Sequence, residues 1–337
     1  MLPPRNISVR AGQRAYLSQF LDASLLRGYP DRMLNPNTQQ WTLGVERELD
    51  RGLVMSISYV GSHTVHVDRP ADLNAPASFI PTAQGQFRTC PQFPVSPTAS
   101  ASVKQAAAQN CADLTRPIVP VPGGYRRINA NLNVGAATYN ALQTKLSKRF
   151  SHHYSLLFTY TYSHALNTAE PDSPPLLNPQ DSTLLGNVEK ANGVLNQPHR
   201  AVLTGWCELP WRFVLGTSTS LSSGRPFNVT TGYDNNGDNV TSDRPVINGG
   251  IVSRNFGRGT PSYSLDLFLQ KGFRLSERVH LSFRTEAINT LNHDNIVGRD
   301  GVYGQGTTLL ATYGTPKGGT SNLEPNRQLQ FMIRLQF

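Results

Sequence analysis

Oxygen-bearing side chains crowd one short stretch of the chain, where Asp234-Asn235-Asn236-Gly237-Asp238 is followed by Asp243. Calcium takes about six to eight oxygen ligands, and Asp234, Asn236 and Asp238 stand at alternate positions with a glycine between them, as in a calcium loop. Asp243 could add a further carboxylate. The EF-hand pattern wants a bidentate carboxylate at its twelfth position, which here is Pro245. The competing reading is an Asn/Asp/Gly-rich turn that needs no metal. Calcium, held by Asp234, Asn236, Asp238 and Asp243, is therefore the one candidate cofactor.

Other groups suggest less chemistry. His152-His153 fall in a predicted short turn. His199 and His293 stand beside Arg200 and Asp294, but no Ser or Cys nucleophile motif accompanies them. There is no zinc-spaced Cys/His cluster and no phosphate-binding glycine loop. The chain is not expected to be an enzyme. Of three cysteines, Cys90 and Cys111 share one long loop-like stretch. That placement favours a disulfide made in an oxidising compartment, against two unrelated thiols. Cys207 sits inside a strand-like run and reads as a small packing residue.

The elements that must carry these groups are strands. In RQLQFMIRLQF, the last eleven residues, Leu329, Phe331, Ile333, Leu335 and Phe337 share one face. Gln328, Gln330, Arg334 and Gln336 share the other, with Met332 as the exception. One apolar and one wet face is what the wall of a membrane barrel needs. A terminal aromatic after alternating apolar residues resembles the C-terminal insertion signal of outer-membrane barrels. Similar alternation predicts strands over 39–49, 53–65, 138–149, 153–165, 198–208, 212–223, 261–272, 278–291 and 327–337.

The connections sort into two kinds. Links near 50–52, 150–152, 209–211 and 274–277 are short, whereas 66–137, 166–197, 224–260 and 292–326 are long, in strict alternation. Outer-membrane barrels have short periplasmic turns and long extracellular loops. A soluble sandwich has no reason to sort its connections this way. No run of about 18 apolar residues exists, so no transmembrane helix is available. Hydrophobic residues make up 38% of the chain, a level that alternating barrel strands allow. The net charge of +9 is scattered singly, with no basic cluster beside stacked aromatics, so nucleic acid is not an expected partner. Arg284, Glu286 and Arg334 read as lumen-facing charges.

Nine strands leave the first and last running the same way, so closing them would need a parallel seam. The expected fold class is all-β: an incomplete antiparallel transmembrane barrel of nine or ten strands with long extracellular loops. An extra strand near Tyr125–Val134 would change the count. Residues 1–38 read as the remnant of an extracellular loop, and 39–337 as the arc. The opening MLPPRNISVRAGQ lacks the pattern of a signal peptide, so the natural beginning is expected to lie upstream.

Short motifs in order add a family resemblance. Ser58-Tyr59-Val60-Gly61-Ser62, Asp72-Leu73-Asn74, Tyr139-Asn140-Ala141-Leu142-Gln143 and Gln197-Pro198-His199-Arg200 begin it. Ser222-Ser223-Gly224-Arg225-Pro226-Phe227, Asp243-Arg244-Pro245 and Glu286-Ala287-Ile288-Asn289 continue it. Together they resemble the barrel of Oar-like TonB-dependent transporters. The resemblance implies a barrel of about 22 strands with an N-terminal plug, energised through TonB for uptake of large or scarce nutrients. This chain shows no plug and no TonB-box-like beginning. The expectation is the C-terminal part of such a barrel, in the outer membrane, with membrane lipid and the barrel-assembly machinery as partners. TonB would join only where a plug is supplied. The alternatives are a structural or adhesive outer-membrane barrel without transport, and a soluble carbohydrate-binding β-domain.

Overall fold

The computed structural model describes residues 27–28, 34–120, 126–169, 180, 189–320 and 326–337. Nine long strands make one sheet: β1 (Asn37–Asp50), β2 (Leu53–Asp72), β3 (Asn129–Ser151), β4 (Tyr154–Asn167), β5 (His199–Leu209), β6 (Phe213–Ser222), β7 (Ser262–Arg274), β8 (His280–Ile288) and β9 (Gln328–Gln336). Each pairs antiparallel with its neighbours in sequence, so the sheet is a plain meander. β1 and β9 are its edges, and among the described residues it does not close.

The strands form for the reason the alternation gives. On one face the ladder runs Val45–Ile57, Leu146–Phe158–Leu203, Leu269–Thr285 and Phe283–Ile333. Leu43, Val45, Phe331 and Ile333 on this face are 75%, 71%, 67% and 72% exposed. So much apolar surface left open across a whole sheet face is suited to lipid and not to water. The opposite face carries Ser56, Ser58, Gln143, Lys145, Thr159, Thr204, Ser218, Ser220, Gln270, Arg284 and Gln330 in matching register. Met332 belongs to this wet face, opposite Arg284, so the apolar face of β9 is uninterrupted.

β2 and β3 are longer than the alternation predicts, running on to Asp72 and starting at Asn129. The register shifts between Val65 and Val67 and again before Arg69, with His66 at φ 60°. A bulge inserts a residue and swaps the faces. The period-2 pattern therefore ends at residue 65 although the pairing does not. Residues 129–134 extend β3, so no separate strand lies there. Residues 1–26 and 29–33 lie outside the described residues, and β1 begins at Asn37, two residues before the expected boundary.

One end of the sheet has tight turns. His152 and His153, both at positive φ (51° and 68°), bridge paired Ser151 and Tyr154. That two-residue geometry follows the right-handed twist of the flanking strands. Trp211 and Arg212 are likewise at φ 60° and 61°. Connections at the other end are long. The first holds helix α1 (Ala101–Asp113), absent from the strand-based reading. Ser100 caps it by accepting from the Val103 amide at 3.4 Å, and its alanines favour helix.

Candidate functional site

The long connections fold onto one another into a compact polar cap. Helix α1 is tied back by a disulfide between Cys111 and Cys90. Its Ala108, Cys111 and Ala112 are buried. Loop 232–246 packs against this helix.

Arg116 fixes the start of the cap. Its side chain is fully buried and bonds Asp72 and Asp113, each at 2.9 Å. It also donates to the carbonyls of Asn74 at 2.7 Å and Asp238 at 3.2 Å. A buried guanidinium with all three nitrogens bonded is the form in which such a charge is tolerated. A second buried pair joins Arg244 to Glu189 through two bonds of 3.0 and 2.7 Å.

Asn235 is the meeting point of the loops. Its side chain donates to the Gln86 carbonyl at 3.0 Å and exchanges two bonds of 3.1 Å with Gln305. Its carbonyl accepts from Arg88, and its amide donates to Asp243 at 2.5 Å. Asp243 also accepts from Gln180 at 3.0 Å. Segments near 86, 180, 235 and 305 thus share one network.

The residues expected to hold calcium are brought together and buried, but as a ladder of side-chain-to-backbone turns. Asp234 Oδ1 accepts from the amides of Gly237 and Asp238, and Oδ2 from Asn239 and Gln109. Asn236 accepts from Asp238, and Asp238 from Val240. Asp243 accepts from Asn235 and Asn236. Among the described residues, no group of three or more His, Cys, Asp or Glu side chains is arranged to hold a metal ion. As folded, each of the four side chains serves backbone amides of its own loop. The competing turn reading describes this arrangement.

These carboxylates are also costly to ionise. Burial first, then the charge of Asp234, pushes Asp238 up to about 8. Asp243 is raised well above the ordinary carboxylate range by burial and then by Asp238 and Asp234. Burial raises Asp234 as well.

The histidines lie apart from one another. His199 bonds Tyr160 at 2.8 Å and lies 5.1 Å from the Tyr162 ring, while His293 stacks on Tyr263 at 3.7 Å. Both groups sit at the long-loop end. At the short-turn end Tyr154 and Phe273 stand on the apolar face, 43% and 45% exposed, and Trp211 in the turn is 81% exposed, while Phe150 stacks on Trp206, in the wet-face register, at 4.6 Å. Aromatics at both ends of an apolar band are the girdles of a membrane barrel. Cys207 is a free thiol within β5. On the wet face, Arg284 and Glu286 pair at 3.3 Å.

Sequence reasoning missed Arg116, Asn235, the Arg244–Glu189 pair and α1. Only α1 left a local signal, the capping Ser100 before an alanine-rich run.

The fold of this chain has counterparts among solved structures. The chain is similar to the outer membrane transporter YddB from Escherichia coli, with TM-score 0.51 and 11% identity, over 92% of this chain and 34% of that one. It is also similar to the ferric enterobactin receptor PfeA from Pseudomonas aeruginosa, with TM-score 0.44 and 12% identity, over 89% and 31%. The chain thus spans about a third of the length of these structures. No curated protein sequence matches it. A family model described as an outer membrane beta barrel domain matches residues 4–252 and 247–330. With the lipid-facing band, the lumenal face and the aromatic girdles, that match places the chain in the outer membrane, as a member of the outer-membrane β-barrel domain family.

Proposed function

We propose that this chain forms part of the barrel wall of a TonB-dependent outer-membrane transporter of the Oar-like kind, taking up a substrate by energy-coupled transport. The observation that carries the reading is the sorting of connections on an open meander. Tight turns lie at one end and an interlocked loop cap at the other, in a chain of which 92% is similar in fold to 34% of an outer membrane transporter. In this reading the long loops face outward and meet the substrate. Lipid is the partner of the apolar face, and the barrel-assembly machinery reads β9 and its terminal Phe337. TonB engages a plug supplied by the complete protein. Catalysis is not part of the reading.

The test is outer-membrane fractionation of the protein expressed with its native upstream DNA, with heat-modifiability on a gel and cross-linking to TonB. A heat-shifting species larger than 37.0 kDa that cross-links to TonB is expected. A soluble species without a heat shift would refute the membrane barrel. A heat-shifting barrel that never cross-links to TonB would leave a structural barrel in its place.

A further inference from the structure

The wet face of β7, β8 and β9 contains a cleft of about 370 Å³ near the short-turn end. Its floor is made of small residues. Gly272 on β7 pairs with Ser282 on β8, and Ser282 with Arg334 on β9. One rung up, Gln270 pairs with Arg284 and Arg284 with Met332. One rung down, His280 pairs with Gln336. Arg284 and Arg334 are therefore diagonal neighbours across a strand pair, within reach of one another's side chains.

A third guanidinium comes from outside the three strands. Arg212 lines the same cleft from the turn between β5 and β6. That turn holds Trp211 and Arg212 at φ 60° and 61°, a conformation that bulky residues rarely adopt. The turn lies against β7: a Cβ at Gly272 would be in ordinary contact, 3.9 Å, with the Arg212 Cβ and carbonyl oxygen.

Arg284 is held in place beforehand. Its guanidinium carbon lies 3.7 Å from the centre of the Phe268 ring. Phe268 fits only because residue 216 is glycine, since a Cβ there would come within 2.1 Å of the ring. Glu286 takes one Arg284 nitrogen at 3.3 Å, while the Arg284 Nε is buried with no hydrogen-bond partner. No carboxylate lines the cleft. Three like charges thus share a floor of small residues, and the acid paired with them among the described residues is Glu286, on Arg284.

We propose that this cleft binds a tetrahedral oxyanion of the phosphate class, gripped by Arg284 and Arg334 and covered by Arg212. Guanidinium groups approaching from several directions suit a tetrahedral dianion better than a planar carboxylate, and Arg is the residue that recognises phosphate through forked hydrogen bonds. The cleft has room for either free phosphate or the head of a phosphate ester. The site lies on the wall itself and does not depend on what the barrel transports.

The test is arginine labelling with phenylglyoxal in outer membranes carrying the full protein, read by peptide mass spectrometry on the heat-modifiable form. Inorganic phosphate and glycerol 3-phosphate are expected to protect Arg212, Arg284 and Arg334 together, and the better protector names the source. Arg200, lumenal on β5 and outside the cleft, should label unchanged. Arg334→Gln should weaken the protection of Arg284 about tenfold, the loss of one charge-assisted contact. Ser282→Glu, which puts a carboxylate on the floor, should abolish it. Equal protection by acetate, equal protection of Arg200, or cleft arginines unreactive from the outset would each overturn the proposal.

Discussion

Gly237 lies so close to helix α1 that a Cβ there would stand 2.3 Å from the carbonyl oxygen of Ala108. Its φ of +79° is also one that other residues adopt only under strain. Gly237→Ala should therefore push loop 232–246 off the helix at a cost of at least about 1–3 kcal/mol. Limited proteolysis should then cut within 232–246, while the heat shift of the barrel stays as it was. Unchanged resistance to protease would show that the loop does not depend on this contact.

The disulfide between Cys90 and Cys111 spans 21 positions. Closing a loop of that length removes about 3 kcal/mol of freedom from the opened chain. Cys90→Ser with Cys111→Ser should loosen α1, seen as faster amide exchange over 101–113, and leave strand amides protected. Exchange that rises equally in β3 and β4 would mean that the cap and the wall do not separate.

The buried acids give the cap a pH dependence of definite sign. The folded-state value for Asp238 is raised from 3.8 to about 8, so the folded cap holds its proton more tightly than the opened one. Stability from this group is present in full below about pH 4 and is lost as pH rises towards 8. Asp234 and Asp243 are shifted in the same direction. Amide exchange over 232–246, corrected for its intrinsic rate, should accelerate between about pH 4 and 8, and Asp238→Asn should flatten that slope. A slope that survives the substitution would assign the effect to another group.

Ile333 and Gln330 lie on opposite faces of β9, opposite Phe283 and Glu286 respectively. Ile333→Arg places a charge against lipid, at a cost of about 2–4 kcal/mol near the midplane. Gln330→Arg places the same charge in the lumen beside Glu286. The first should lower the yield of heat-modifiable barrel and the second should not. Equal yields would contradict the assignment of faces.

Much of the wall is legible in the sequence because lipid and water impose opposite demands on alternate residues. Each strand writes that contrast locally, and even Met332 fits once the faces are known. The pattern stops being readable where His66 shifts the register, since pairing continues after periodicity is lost. The cap is less legible for a different reason. Arg116 meets Asp238 across 122 positions, and Asn235 meets Gln86 across 149. Nothing near either residue marks its partner. Asp234 to Asp243 did stand out, but a run of oxygens is written the same way whether it serves an ion or its own backbone.

The shared hydrogen bonds of Asn235 bear on how the mouth of this wall can move. Four separate connections end on one small amide and the carboxylate next to it. No one of them can swing away without leaving buried polar groups in the other three unpaired, at about 1–3 kcal/mol for each. The outer surface is therefore expected to behave as a single latch, shut or released as a whole, and not as a fringe of independent flaps.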